Sequence, residues 1–216
     1  MIELVILLLA SYITGSFPTS IIVTRVTKNI DIREHGSGNA GTTNVFRVLG
    51  WKYAIFVLTF DIFKGWLPTA VYATTIFQQL PVPDQGLVQI LCGFAAVFGH
   101  TFPIFAGFRG GKGVSSLIGV LLALFPLAFP LCLLVGIAVI TTTGYVSLGS
   151  ISAAVALPII FLILPRLGLI NPSLFLIVFS LLVPWFIIYT HRSNISRIRN
   201  GTENRFEKAI IFKKKN

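Results

Sequence analysis

Charged residues are scarce in this sequence. Asp, Glu, Lys and Arg make up 11% of the 216 residues, whereas a typical soluble domain is about 25% charged. The stretch 114–165 contains no charged residue, and 2–24 contains only Glu3. Runs of about 18 or more apolar residues are typical of membrane spans. The composition therefore argues against a soluble protein and predicts an all-α polytopic membrane protein.

Cysteine is nearly absent as well, and Cys92 and Cys132 are the only two. Both lie in apolar stretches, which predicts buried thiols and argues against a disulfide framework or a cysteine metal site. The first apolar stretch has no basic residue before it and carries Glu3, so it is atypical of a cleaved signal peptide. Without an internal repeat or a separate soluble segment, we expect a single domain over 1–216.

The basic residues that do occur are concentrated in three segments. Fifteen of the seventeen lie in 25–52, 109–112 and 192–215. Basic segments remain in the cytoplasm, so all three are predicted to face inward.

This placement determines the predicted number of spans. Besides spans at 3–24, 53–77, 87–107 and 173–189, the uncharged stretch must then supply three helices, with turns at 125–130 and 141–150. We predict seven transmembrane helices, with the N-terminus outside and the C-terminus cytoplasmic. Five spans are the alternative, in which the stretch holds one long helix and non-spanning segments.

Two ionisable residues lie inside the second predicted span. Asp61 and Lys64 are three residues apart and therefore share one helical face. Charged groups in a membrane are costly and usually pair. The two residues either form an ion pair that holds helices together or belong to a polar site. His100 lies near the end of the third predicted span, and its alternative role is simply to cap that helix.

The first basic segment contains GSGNAG at Gly36–Gly41, which fits the dinucleotide-binding pattern. That pattern requires a preceding strand in a βαβ unit, but the charged sequence NIDIREH precedes it here. Small residues with exposed N–H groups form anion-binding nests. Ser37 and Thr42 add hydroxyl donors, and Arg47 can bind a phosphate through two parallel hydrogen bonds. We predict a phosphate site and no dinucleotide.

The second and third segments contain further polar groups at predicted inner ends of spans. In GHTFPIFAGFRGGKG, glycines surround Lys112. A P-loop needs Ser or Thr directly after its lysine to hold magnesium, but Gly113 follows Lys112 here, which excludes a nucleoside triphosphate site. In HRSNISRIRNGTENRF, His191 and Asn194 lie three residues apart at the end of the last span.

Taken in order and spacing, GSGNAGTTN, GHTFPIFAGFRGGKG and HRSNISRIRNGTE resemble the three signature segments of the bacterial membrane glycerol-3-phosphate acyltransferases that use acyl phosphate. DIFKG at 61–65 extends the similarity to nearly the whole chain. Two positions depart from the usual pattern, with Arg109 where Lys is commoner and Thr42 where Ala is commoner. The resemblance implies transfer of a fatty acyl group to the 1-position of glycerol 3-phosphate, which gives lysophosphatidic acid and phosphate in the first acylation of phospholipid synthesis.

The resemblance also implies the location and the site residues. The enzyme would lie in the bacterial inner membrane, with its active site facing the cytoplasm. His191, Asn194 and Ser37 would be catalytic. The phosphates would be bound by Gly36, Gly38, Asn39, Gly41, Asn44, Arg47, Arg109, Gly110, Gly111, Lys112, Gly113 and Ser150.

Phosphate is a good leaving group, so the reaction needs mainly positioning and charge stabilisation. No Ser-His-Asp triad can be assembled, since acids such as Glu3 and Asp84 are predicted on the outer side. The proton of the attacking hydroxyl goes either to His191 or to a substrate phosphate oxygen. His191 has the alternative role of a hydrogen-bond donor to phosphate.

The expected partners are the two substrates and membrane lipid, with no nucleic acid, metal or cofactor and no required oligomer. The alternative function is an anion or phosphate transporter or channel, in which the inward loops form a gate. No inverted repeat is visible, however, and the predicted outer surface offers an anion only Arg166. A purely structural membrane protein would leave the glycine clusters unexplained.

Overall fold

The computed structural model describes residues 2–76, 80, 82, 84–207 and 210. Within these ranges every regular element is helical, and no strand occurs, in agreement with the predicted all-α class. Part of the predicted outer loop at 78–86 and the basic residues Lys208 and Lys213–Lys215 lie outside them. The α-helices are α1 (Ile2–Ser16), α2 (Thr19–Lys28), α3 (Thr42–Leu49), α4 (Trp51–Leu67), α5 (Ala73–Ile76), α6 (Gln85–Thr101), α7 (Val114–Leu124), α8 (Ala128–Thr143), α9 (Val146–Ile163), α10 (Leu174–Thr190) and α11 (Arg192–Arg199).

Four helical stretches among the described residues are long and apolar enough to cross a membrane. They are Ile2–Lys28, Trp51–Thr75, Gln85–Ala106 and Val146–Arg166. A fifth is obtained if α10 and α11, which are bent by 60° relative to each other, count as one span. The spans predicted at 3–24, 53–77, 87–107 and 173–189 fall on these stretches.

The uncharged stretch folds into three helices, as the seven-span prediction requires. The breaks at 125–127 and 144–145 lie within the two predicted turns. The first of these helices, α7, has only 11 residues, and a helix rising about 1.5 Å per residue falls short of a hydrocarbon core of about 30 Å at that length. The number of spans and the orientation of the termini therefore stay predictions.

The first span is not one continuous helix. It is broken between α1 and α2 at Phe17 and Pro18, because proline lacks an N–H group and clashes with the preceding turn. The carbonyl oxygen of Phe17 accepts a hydrogen bond from Lys64 Nζ at 2.8 Å. The break thus provides a backbone acceptor for a cation on α4.

The chain forms two compact units, Met1–Leu124 and Phe125–Asn216. The single domain expected from the sequence stays a prediction. In the first unit α1 packs on α6, and α4 packs on α7. The closest approaches occur at glycines: a Cβ added at Gly65 would overlap the Ser116 carbonyl, and one at Gly119 would overlap the Ile62 carbonyl. Small residues at crossings let helix backbones pack closely in a membrane.

The second unit is built around α9, which packs against both α8 and α10. Phe125, Phe161 and Phe179 form its aromatic centre, and the Phe125 and Phe161 ring centroids are 4.5 Å apart in an edge-on arrangement. The third signature segment begins at the other end of α10, at His191.

Candidate functional site

Asn44 closes the first glycine loop from the inside. Its side chain is 1% exposed. Its Oδ1 accepts a hydrogen bond from Ser37 N at 2.9 Å, and its Nδ2 donates to the carbonyl oxygens of His35 at 2.8 Å and Asn39 at 3.1 Å. An asparagine amide has two N–H groups, and both are used within the loop. The sequence suggested a phosphate contact for Asn44, whereas these bonds give it the role of shaping the loop.

The glycines allow the chain to wrap around this amide. Gly36 and Gly38 have φ values of +61° and +71°, a region that L side chains rarely adopt. A Cβ at Gly36 would also overlap Asn44 Oδ1. Gly41 is extended and leads directly into α3. The loop therefore delivers the half-buried Ser37 next to the start of a helix.

Arg47 lies on α3, the helix that follows the first glycine loop. It lies one turn beyond Thr43 on α3 and is half-buried. Helical side chains lean towards the helix N-terminus, which is the end of α3 that follows the glycine loop.

The second glycine loop folds back onto the end of α6. Gly110 N donates to Thr101 O and Gly111 N donates to His100 O, each at 3.1 Å. A Cβ at Gly110 would overlap the His100 carbonyl oxygen. Gly113, at φ +80°, then turns the chain into α7. Lys112 is half-buried between these glycines, and Arg109 is exposed.

The two loops meet, and so do the helices that follow them. Thr42 Oγ1 at the start of α3 lies 3.4 Å from Ser115 Oγ at the start of α7. A Cβ at Gly111 would lie 3.1 Å from the carbonyl oxygen of Ala40. Helix N-termini carry unpaired N–H groups and a partial positive charge. Two of them side by side, each preceded by a glycine loop, form an arrangement suited to an anion.

Arg33 joins the segments that precede the two loops. Its Nη1 donates to the carbonyl oxygen of Ala106 at 2.8 Å, and its Nη2 lies 2.7 Å from Asp31 Oδ2. The hydrogen bond from Arg33 lowers the pKa of Asp31 to about 2, so this ion pair stays charged at physiological pH. Sequence reasoning missed the contact, because the charged stretch before the first loop was used only to exclude a strand.

Asp61 and Lys64 form the ion pair that the sequence offered as one alternative. Lys64 Nζ is 2.8 Å from Asp61 Oδ1, and it is also 3.2 Å from His100 Nδ1. All three residues are buried. His100 therefore belongs to a polar cluster that also supports the second glycine loop through its carbonyl oxygen, and it is more than a helix cap.

In the second unit, His191 lies at the bend between α10 and α11 and is 3% exposed. Its Nδ1 is 2.8 Å from the carbonyl oxygen of Ile187. A carbonyl oxygen can only accept, so Nδ1 carries the hydrogen and the neutral ring has its basic lone pair on Nε2. This tautomer is the one that can take a proton at Nε2.

Glu203 connects Asn194 and Arg197 of α11 with Ser147 of α9. Its Oε1 accepts hydrogen bonds from Asn194 Nδ2 at 2.6 Å and Ser147 Oγ at 3.0 Å, and its Oε2 accepts one from Arg197 Nε at 2.7 Å. Burial opposes ionisation of this carboxyl, but these hydrogen bonds outweigh it and hold the pKa of Glu203 below its usual range.

The sequence analysis missed Glu203, although it ends the third signature segment. The available signal was that it is the sole acidic residue of 191–206. The predicted site residue Ser150 donates its hydroxyl to Val146 O at 3.0 Å. It follows Ser147 by three residues on α9, and both therefore share one helical face.

With this geometry established, comparison with known proteins identifies the chain's relatives. The profile of the glycerol-3-phosphate acyltransferase family matches residues 5–201. The chain belongs to this family. A glycerol-3-phosphate acyltransferase of Chlorobaculum parvum is 45% identical over 226 aligned positions, which cover 95% of this chain and 97% of that protein. One from Chlorobaculum tepidum is 41% identical over 237 positions, with complete coverage of both.

Solved structures of family members agree in fold. The glycerol 3-phosphate form of PlsY (YgiH), an integral membrane glycerol 3-phosphate acyltransferase, matches with a TM-score of 0.80 and 34% identity, covering 94% of this chain and 95% of that chain. Its lysophosphatidic acid form matches with a TM-score of 0.79 and 32% identity. The predicted resemblance and the all-helical membrane class are confirmed, and the transporter alternative receives no support.

Proposed function

We propose that this protein transfers a fatty acyl group from acyl phosphate to the 1-hydroxyl of glycerol 3-phosphate, at the cytoplasmic face of the bacterial inner membrane. The products are lysophosphatidic acid and inorganic phosphate. The observation that carries the proposal is the meeting of two helix N-termini, each preceded by a glycine loop, at Thr42 and Ser115. Family membership and relatives solved in glycerol 3-phosphate and lysophosphatidic acid forms support it.

Both proposed substrates carry a phosphate, and the first unit has the means to bind such groups. Backbone N–H groups at two helix starts stabilise negative charge. Lys112 and Arg47 add full positive charges from the second loop and from α3. We assign the Lys112 loop to the phosphate of glycerol 3-phosphate, as the family resemblance implies. We assign Asn44 to shaping the first glycine loop, because its N–H groups are hydrogen-bonded within that loop.

In the proposed reaction, the 1-hydroxyl oxygen of glycerol 3-phosphate attacks the acyl carbonyl carbon. A carbon–oxygen bond forms, the bond from that carbon to the phosphate oxygen breaks, and phosphate leaves with the electron pair. The hydroxyl proton goes to His191 Nε2 or to a phosphate oxygen of the substrate. The Nδ1–H tautomer of His191 supports the first route, since Ile187 O holds the ring with Nε2 as its basic nitrogen.

We assign Asn194 a catalytic role, as the family resemblance implies. A carboxylate can only accept hydrogen bonds, so the bond to Glu203 fixes Nδ2 on that side and turns Oδ1 the other way. The hydrogen bond to Glu203 thereby fixes the orientation of the Asn194 amide. The acyl chain of the donor lies among apolar helix surfaces, and the basic segments keep the polar end of the reaction on the cytoplasmic side.

The experiment that tests this function uses the purified protein in detergent with acyl phosphate and glycerol 3-phosphate. We expect one phosphate released for each lysophosphatidic acid formed. Equal or faster turnover with acyl-CoA or an acylated carrier protein would overturn the assignment of the donor. Phosphate flux into proteoliposomes without any acyl donor would favour the transporter alternative.

A chelator arm tests the expectation that no metal is required. Among the described residues, no group of three or more His, Cys, Asp and Glu side chains is arranged to hold a metal ion. Activity should persist after chelation, because the Lys112 loop lacks the hydroxyl that binds magnesium in a P-loop. Loss of activity that magnesium restores would contradict this expectation.

A further inference from the structure

A buried polar cluster connects α4 with the end of α6. Asp61, Lys64 and His100 are 1%, 5% and 6% exposed. Ionisable groups this deep in a membrane protein are costly and usually mark a paired or functional site. None of the three has a role in the proposed acyl transfer, so their burial calls for another explanation.

The ammonium group of Lys64 makes three close contacts. Its Nζ lies 2.8 Å from Asp61 Oδ1, 2.8 Å from the carbonyl oxygen of Phe17 and 3.2 Å from His100 Nδ1. The Asp61 contact is a close ion pair, although its angle is poor for a hydrogen bond. A lysine ammonium is a donor only. His100 Nδ1 is therefore an acceptor, and the imidazole carries its hydrogen on Nε2.

The Nε2 atom of His100 faces the junction of the two glycine loops. A Cβ at Gly111 would overlap this atom and would lie 3.1 Å from the carbonyl oxygen of Ala40. His100, Ala40 and Gly111 also line a small cavity, which leaves about 10 Å³ for the centre of a water molecule. This is close to the space that one buried water needs.

The wall of this cavity is polar enough to hold that water. Asp61 and Thr19 line it, and within the described part of the chain the oxygens of Asp61 and Thr19 Oγ1 have no hydrogen-bond partner. A water in the cavity would find the His100 N–H donor and these oxygens as partners, within the two to four that buried waters commonly have.

We infer that His100 is a positioning residue. Lys64 and Asp61 orient its ring so that the Nε2–H group faces the cavity lined by Ala40 and Gly111, where the two glycine loops meet. Hydrogen bonding of Nε2–H in this cavity keeps the loops in the phosphate-binding geometry. The kinetic consequence rests on the proposed function, because it is expressed in the KM for glycerol 3-phosphate. The position of the hydrogen on the His100 ring does not depend on the proposed function.

Two substitutions of His100 separate positioning from simple packing. Glutamine places its amide near the position of Nε2, and asparagine places it near Nδ1, so both remove the ring but only glutamine keeps a donor towards the loops. His100→Gln should change the KM for glycerol 3-phosphate less than twofold. His100→Asn should raise it about fivefold or more, as expected for one lost buried hydrogen bond. The KM for acyl phosphate should move little in either variant.

The position of the ring hydrogen is measured separately, by ¹⁵N NMR of the histidine-labelled protein in detergent. We expect a protonated Nε2 and an unprotonated Nδ1 at His100. The double variant Asp61→Asn with Lys64→Met, which leaves no single buried charge, should lose this fixed preference. A wild-type ring protonated at Nδ1 would overturn the inference, as would equal KM values for the folded Gln and Asn variants.

These two measurements also distinguish this inference from the proposed function. A wild-type protein with no acyltransferase activity but with the expected His100 tautomer would contradict the function and leave the oriented imidazole in place. If neither His100 variant accumulates as folded protein, the NMR result for the wild type and the double variant decides alone.

Discussion

Thr42 Oγ1 and Ser115 Oγ lie 3.4 Å apart, although 73 residues separate them in the sequence. This contact brings the first turn of α3 against the first turn of α7. The glycine loops before these helices converge with them, and Lys112 lies two residues before the start of α7. A substrate phosphate bound there would meet two helix N-termini and a lysine ammonium together.

Replacement of Lys112 tests which substrate this region holds. Lys112→Met should raise the KM for glycerol 3-phosphate and spare kcat, because a contact made equally in ground and transition states affects only KM. Loss of a charge-assisted contact costs about 1.5–3 kcal/mol, or roughly ten- to 150-fold. Steady-state kinetics with each substrate varied in turn measures this.

Two further variants control the Lys112 experiment. Lys112→Arg should recover only part of the loss, because a planar guanidinium fits a tight glycine loop poorly. Lys52→Met, at an exposed lysine beside Trp51, should leave both KM values unchanged. A fall in kcat with unchanged KM values in Lys112→Met would assign this lysine to the departing phosphate instead.

Gly36 and Gly50 form a matched pair for testing the first loop. Both have positive φ values, +61° and +92°, so alanine adds backbone strain at either position, on the order of 1–3 kcal/mol. Only at Gly36 would the new Cβ also overlap Asn44 Oδ1, while at Gly50 nothing lies within 4 Å. Gly36→Ala should lower kcat/KM at least tenfold more than Gly50→Ala. Comparable activities would show that the Asn44 contact is dispensable.

Arg33 and Arg25 form a second pair, because both approach Asp31. Arg33 also binds the carbonyl oxygen of Ala106, whereas Arg25 lies 3.6 Å from Asp31 and is 63% exposed. Arg33→Met should loosen 104–108, seen as faster amide hydrogen exchange there, and should raise the KM for glycerol 3-phosphate several-fold. Arg25→Met should do neither, since an exposed ion pair contributes little. Equal exchange in both variants would refute a tether between the loops.

Glu203 gives a prediction about pH. Its folded-state pKa lies below the ordinary value of 4.5, so its contribution to stability is complete above about pH 4.5 and is lost as the pH falls through the folded pKa. Glu203→Gln should reduce stability at pH 7 by about 1.5–3 kcal/mol. The thermal midpoints of variant and wild type should converge in acid. Glu34→Gln, at an exposed position, should have no such effect, and a pH-independent gap for Glu203→Gln would contradict the assignment.

Labelling of introduced cysteines tests the seven-span topology. A cysteine at Asn171 should react with an impermeant thiol reagent from outside, and cysteines at Ser37 and Asn200 should react only after permeabilisation. The native Cys92 and Cys132 are buried and give little background. Gln79, which lies outside the described residues, is predicted to label from outside as well. Outside labelling at Asn200 would rule out seven spans with an external N-terminus.

The helices and glycine loops could be predicted from the sequence because their signals are local. Apolar runs predicted the helices, and the placement of the basic residues required turns within the uncharged stretch, at 125–130 and 141–150. The polar clusters could not be found in this way. Arg33 meets Ala106 from 73 residues away, and Ser147 meets Glu203 from 56 residues away. No periodicity in a single sequence encodes such pairings.

Asn44 illustrates the same limit from within one loop. Its side chain is fully engaged, but the sequence shows only an asparagine near glycines, which suits a phosphate contact equally well. The difference lies in which way the amide points, and that depends on the positive φ values at Gly36 and Gly38.

The internal amide of Asn44 has a consequence for how strongly a small dianion can be held. Immobilising a flexible loop on binding subtracts from affinity. Here the amide already fixes the backbone at His35, Ser37 and Asn39, so the loop loses its conformational freedom during folding and not during encounter with the substrate. A ligand as small as glycerol 3-phosphate can then retain most of the interaction energy that its few atoms provide.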